Sequence, residues 1–208
     1  MSNPVSFDAL TPHACEHDAE RRSMVLLTAA AGAVAATAVA VPFVSSFAPS
    51  ERALAMGGAV EADIADLAPG AIKTVEWRGK PVWIMRRTPE MLASLSSLDS
   101  QLVDPASKVT SQQPAYAQNA HRSIKPDVMV NVGICTHLGC SPSSVPAGSA
   151  NPSVGDNWQG GFFCPCHGST FDLAGRVFKN KPAPTNLEVP PHRFLSDGKL
   201  LIGEDTKA

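Results

Sequence analysis

The stretches "CTHLGC" (Cys135–Cys140) and "CPCHGS" (Cys164–Ser169) decide how this chain is read. Together they hold four of its five cysteines and two of its six histidines. That is more than the four ligands one tetrahedral ion takes. Cys-x-His followed by Cys-x-x-His supplies two sulfurs and two nitrogens, Cys135, His137, Cys164 and His167, which is a legitimate structural zinc set. It leaves Cys140 and Cys166 over, and these could bridge to each other in an oxidising compartment. The same four ligands also suit a 2Fe-2S cluster with both cysteines on one iron and both histidines on the other. Such a cluster carries less negative charge than one with four thiolates, so it reduces more easily, and its imidazoles retain nitrogens that gain or lose protons.

Working outward, both stretches are expected in loops between short strands. Val128–Val132 is a β-rich run leading into the first, Gly161–Phe163 leads into the second, and Thr170–Asp172 leads out. Lys73–Trp77 and Val82–Met85 read as a hairpin around "RGKP". Leu187–Val189 reads as a strand, as do Arg193–Leu195 and Leu200–Ile202 around "SDGK". "TPEMLASLSSL" reads as one short helix, with Thr88 as N-cap and Pro89 at the first helical position. Residues 99–127 are polar and proline-bearing and receive no assignment. Eighteen prolines and 15 glycines fit a loop-rich, mostly β domain.

The N-terminal quarter is different. Residues 23–50 carry no charge, and their apolar part, Met24–Val44, makes about 31 Å of helix, enough to cross a hydrocarbon core of about 30 Å. Arg21 and Arg22 precede it directly, which by the positive-inside rule keeps the N-terminus cytoplasmic, and "RRSMVLL" is similar to a twin-arginine export signal. "ALA" (Ala53–Ala55) has the look of a processing site, but the apolar run exceeds a cleavable core of about 7–15 residues, so an uncleaved anchor is expected. The organisation is thus a tail over 1–22, a transmembrane helix over 23–44, a tether over 45–60 and an exported domain over 61–208. The tail holds His13, Cys15 and His17, read as part of an unstructured segment rather than a metal site. Residues 51–208 balance 15 acids with 15 bases, which excludes an electrostatic binder of nucleic acid.

The two boxes in this order resemble the cluster-binding boxes of Rieske iron-sulfur proteins, and the extra cysteines resemble the branch found in cytochrome bc complexes. "VEWRGKPVWIMRRTPEML" (Val75–Leu92), "KPAPTNLEVPP" (Lys181–Pro191) and the anchor extend the resemblance over most of the chain. It implies stacked antiparallel β-sheets, a cluster-binding part near 133–185 and one 2Fe-2S cluster. It implies Cys135 and Cys164 on the inner iron, His137 and His167 on the outer, and a Cys140–Cys166 disulfide. His167 would hydrogen-bond a quinol and accept its proton with His137 beside it. Leu138 would shield the cluster, Ser169 would donate a hydrogen bond to it, and Pro182-Ala183-Pro184 would cover it. The implied activity is that of a redox subunit taking an electron and a proton from ubiquinol and passing the electron to a c-type cytochrome. Its partners would be cytochrome b and a c-type cytochrome in a dimeric complex of the bacterial inner membrane, with the Rieske domain periplasmic. Two departures stand out. Phe171 replaces a tyrosine many members carry, which removes a hydroxyl donor and implies a lower potential. The connection from His137 to Cys164 is long and polar and is expected as a surface excursion. Soluble ring-hydroxylating oxygenases lack the extra cysteines; the small subunit of an arsenite oxidase is harder to separate.

Overall fold

The computed structural model describes residues 13–50, 53 and 57–205, with the side chains of 13–17 outside that description. It divides into two compact units, 1–52 and 53–208.

In the first unit, helix α1 runs His13–Ser45. Its segment Asp18–Ser45 is long and apolar enough to span a membrane, with a mean hydropathy of 2.2 in its best window. The helix starts ten residues ahead of the expected span, so 13–22 is not an unstructured tail. Ala, Glu and Arg are strong helix formers, and extending a helix already nucleated needs only one more bond per residue. The Thr28 and Thr37 hydroxyls donate to the Met24 and Ala33 carbonyls one turn back, which keeps these polar groups paired within the helix. Pro42 lies inside the last turns, and the Ser45 and Ser46 hydroxyls donate to the Pro42 and Phe43 carbonyls. The metal-site question at His13, Cys15 and His17 falls on side chains outside the described residues, as do most of "ALA" and five positions of the tether.

The second unit is mostly β. Its described residues form three three-stranded antiparallel sheets ordered β1-β9-β8, β2-β3-β4 and β5-β6-β7. The strands are β1 (Val60–Asp63), β2 (Ile72–Trp77), β3 (Lys80–Arg86), β4 (Val128–Val132), β5 (Ser143–Val145), β6 (Gly161–Phe163), β7 (Thr170–Phe171), β8 (His192–Ser196) and β9 (Lys199–Ile202). Strands β3 and β4 of the middle sheet are buried on both faces, which explains why "VWIM" and "VMV" are unbroken apolar runs rather than alternating ones. Val82 and Ile84 of β3, with Val128, Val130 and Val132 of β4, face a core shared with Ala62, Leu200 and Ile202 of the first sheet. Trp83, Met85 and Met129 point the opposite way, into a second core with Phe162, Phe171, Leu173 and the two cysteines Cys135 and Cys164. Trp83 stacks on Phe162 with centroids 4.7 Å apart, an aromatic pairing worth about 0.5–1.5 kcal/mol beyond burial. The half that bears the two cysteine-histidine boxes is therefore packed directly on the back of the central hairpin.

Several expectations shift in detail. The turn of the first hairpin is only Arg78-Gly79, both at positive φ (52° and 70°), so Lys80 and Pro81 belong to β3. Helix α2 (Pro89–Ser97) is capped as expected, the Thr88 hydroxyl accepting from the Met91 amide at 3.3 Å. Leu187–Val189 is not a strand: the Leu187 and Val189 amides go to the carbonyls of Gly175 and Gln112, and the Glu188 carbonyl accepts from Val132. Prolines on both sides lack the donors a ladder needs. Strands β1 and β5 are additions; both are short, and each forms only because a partner edge is waiting, β9 for one and β6 for the other. Residues 99–127 fold as three 3-10 turns over 99–101, 110–112 and 115–117.

Candidate metal centre

The two boxes fold into the same loop twice. In the first, the Cys135 amide donates to the Cys140 carbonyl at 2.7 Å and the Gly139 amide to the Cys135 carbonyl at 3.1 Å. In the second, the Cys164 amide donates to the Ser169 carbonyl at 2.8 Å and the Gly168 amide to the Cys164 carbonyl at 2.9 Å. Gly139 and Gly168 occupy equivalent places at φ +83° and +77°, which glycine adopts without penalty. Each loop thus turns inward at its first cysteine and outward three or so residues on. Cys135 and Cys164 are buried at 2% exposure each, whereas His137 is half-buried and His167 exposed. The two imidazoles meet edge to face with centroids 4.7 Å apart.

Cys140 and Cys166 form a disulfide across the loops, with S–S 2.12 Å and Cα–Cα 6.7 Å, leaving Cys135 and Cys164 as free thiols. Sulfurs of Cys140, Cys164 and Cys166 lie within 4.8 Å of one another, but two of those three are joined to each other and hold no ion. The free donors therefore sort into an inner thiol pair and an outer imidazole pair. Burial pushes the Cys135 thiol up; the His137 backbone amide and the Ser169 hydroxyl act the other way as hydrogen-bond donors, while neighbouring Cys164 raises it further. A thiol in that setting gains from a positive ion that replaces its proton. His137 Nδ1 is buried without a partner among the described residues, a lone ring nitrogen at the site. Two thiols inside, two imidazoles outside and an unpaired ring nitrogen fit a 2Fe-2S group of the Cys₂His₂ type.

The segment 182–185 is tied to both loops. The Ala183 amide donates to Ser169 Oγ at 3.0 Å, and Thr136 Oγ1 donates to the Thr185 carbonyl at 2.7 Å. Thr136 is a site residue that sequence reasoning misses; it stands between the first loop's cysteine and histidine, and nothing in the motif signals its partner. Leu138 stands at the tip of its loop, 71% exposed. Phe171 is fully buried opposite Phe162. Part of the long connection is structured: β5 pairs with β6, and the buried Trp158 donates from its indole to the Val145 carbonyl at 2.8 Å, while most of 146–157 is exposed.

The family signature "Rieske 2Fe-2S domain" matches residues 59–191, and "Ubiquitinol-cytochrome C reductase Fe-S subunit TAT signal" matches 11–50. The ubiquinol-cytochrome c reductase iron-sulfur subunit of Allochromatium vinosum is 59% identical over 89% of this chain and 88% of its own length. The same-named subunit of Rickettsia felis is 41% identical over 88% of this chain and 93% of its own. The mitochondrial cytochrome b-c1 complex subunit Rieske-1 of Nicotiana tabacum is 44% identical over 77% of this chain, which spans 54% of that longer protein. These matches set aside the zinc alternative, and the chain belongs to the Rieske 2Fe-2S family, among the iron-sulfur subunits of ubiquinol-cytochrome c reductase.

Proposed function

We propose that this membrane-anchored subunit of the cytochrome bc complex draws one electron and one proton from ubiquinol at His167 and that its domain then carries the electron to the c-type cytochrome. The observation that carries this reading is the pair of equivalent loops, each with a buried cysteine and an outward histidine. Cys135 and Cys164 would hold the inner iron, and His137 and His167 the outer. When bound, a Cys₂His₂ 2Fe-2S group supplies one-electron transfer at about −150 to +300 mV, the range of Rieske centres as a class.

The chain's own residues do the rest. His167, exposed at the tip, offers its outer ring nitrogen to the quinol hydroxyl and holds the proton that leaves. His137 packs edge-on against it and limits its rotation. Leu138 presents an apolar surface that keeps water from the site and seats against an apolar quinol pocket. The Cys140–Cys166 bridge and the 182–185 segment hold both loops in one geometry. Arg21 and Arg22 set the N-terminus on the cytoplasmic side, which puts the domain in the periplasm, where the disulfide persists. Residues 45–60 serve as the tether in a dimeric complex of the inner membrane.

Quinol:cytochrome c turnover of the purified complex tests this. With His167→Ala, which removes an iron ligand as well as the proton acceptor, the rate should fall by at least about 10²–10⁴-fold, the range for losing a positioned proton acceptor alone. Turnover unchanged by that substitution would refute the role of His167.

A further inference from the structure

Three arginines are buried beside the second ligand loop, and the electron-proton chemistry uses none of them. Arg87, Arg122 and Arg176 are 3%, 0% and 0% exposed. They converge on one turn, "DLAGR" (Asp172–Arg176), which begins three residues after Ser169. Arg87, just past the end of β3, donates to the Leu173 carbonyl at 3.2 Å. Arg122, from the irregular 99–127 segment, donates to the Ala174 and Gly175 carbonyls at 3.4 and 3.3 Å. Arg176 itself pairs with the fully buried Asp172 at 2.8 Å and reaches back to the Leu95 carbonyl at 2.7 Å and to Asp99 at 2.8 Å. Leu173 and Ala174 of this turn pack in the same core as Cys135 and Cys164.

The charges inside do not cancel. Three buried guanidiniums face one buried carboxylate, Asp172, which leaves an excess of two positive charges among these groups. The other carboxylates acting on them are farther out: Asp99 is about half exposed, Asp127 likewise, and Asp104 is half-buried. Burial lowers Arg87 and Arg122 to about 10, so both remain charged at neutral pH. Water screens the outer carboxylates far better than the inner guanidiniums. The excess positive charge therefore grips the turn whose Leu173 and Ala174 share a core with the thiol pair. Neutral side chains would satisfy the same carbonyls without the cost of burying charge.

We infer that Arg87 and Arg122 are positioning residues with an electrostatic role: they hold excess buried positive charge on the turn that shares a core with the Cys135/Cys164 pair and thereby favour the reduced form of the site. This rests on the reading of those cysteines as cluster ligands.

The test uses the intact complex carrying Arg87→Gln, Arg122→Gln and the matching Lys variants, with iron content, midpoint potential and thermal stability measured on each. The Gln variants should lower the midpoint potential. The Lys variants should hold it near the original while unfolding at lower temperature, because lysine keeps the charge but loses the two-carbonyl grip. Asp104→Asn and Asp127→Asn remove outer negative charge while keeping an amide oxygen as acceptor, and should raise the potential, which keeps the sign measurable even where a Gln variant fails to assemble. Potentials unchanged in both Asn variants, or equal in Gln and Lys variants, would overturn the inference and leave the arginines as structural clasps. Absence of iron from the unsubstituted chain would instead refute the ligand reading beneath it.

Discussion

His192 is only 1% exposed yet titratable: its Nδ1 lies 2.8 Å from the Pro190 carbonyl, and its Nε2 has no partner among the described residues. Burial lowers its pKa below 6.5, opposed by the Pro190 carbonyl and by Asp205. An unfolded chain therefore binds a proton there before the folded one does. Its contribution to stability is complete above about pH 6.5 and is lost as pH falls through the lower folded value. Unfolding measured between about pH 7.5 and 5 should show this decline, and His192→Asn should flatten it. Phe171 poses the reverse case, a missing polar group. It is fully buried in the core that holds both thiols, so Phe171→Tyr places a hydroxyl near the ligand sulfurs and should raise the midpoint potential. A potential that stays put or drops would detach Phe171 from tuning. Gly139 and Gly168 have open space where a Cβ would go, so replacing either with alanine costs only backbone strain of about 1–2 kcal/mol, readable as a lower melting temperature with the cluster retained. At Gly161 the added methyl meets the Phe171 carbonyl head-on, and Gly161→Ala should prevent assembly of the β5-β6-β7 sheet altogether.

At the level of elements, the chain announces some structures and conceals others for identifiable reasons. The β2-β3 hairpin is legible because Arg-Gly can take two positive φ values between β-rich runs, and α2 because Thr88 and Pro89 form a standard helix start. Thr88→Ala removes that cap and should cost about 1 kcal/mol in unfolding free energy. The two ligand loops are legible from spacing alone, whereas the disulfide pairing follows from the family resemblance. Features that depend on distant partners stay hidden. The 187–189 stretch has strand-like residues but spreads its backbone bonds over three neighbours. Residues 99–127 show no periodicity because Arg122 and Gln113, rather than an apolar stripe, fasten them: Arg122 donates to the Gln112 carbonyl and to Gln113 Oε1. Buried arginines contradict the usual outward preference of that residue, so no local pattern places them inside.

On the scale of the whole molecule, the two units divide anchorage from chemistry, with an apolar helix fit to hold the chain in a membrane and a β domain whose two ligand loops bring their imidazoles together. Their boundary falls within residues 45–60, which the proposed electron delivery requires to bend. Substituting several prolines there should slow cytochrome reduction while leaving the cluster spectrum intact; undiminished turnover would count against a moving domain. The two-layer core, with β3 and β4 buried on both faces, makes the β domain rigid enough to carry its site as one body. Everything functional nonetheless depends on Cys135, His137, Cys164 and His167 acting as one ligand set. Low-temperature electron paramagnetic resonance of the ascorbate-reduced complex, with nitrogen hyperfine couplings resolved, tests that most directly. The expected result is a reduced 2Fe-2S signal coupled to two imidazole nitrogens, with one coupling lost in each of His137→Cys and His167→Cys; a silent, zinc-containing protein or a signal without nitrogen coupling would contradict the ligand set.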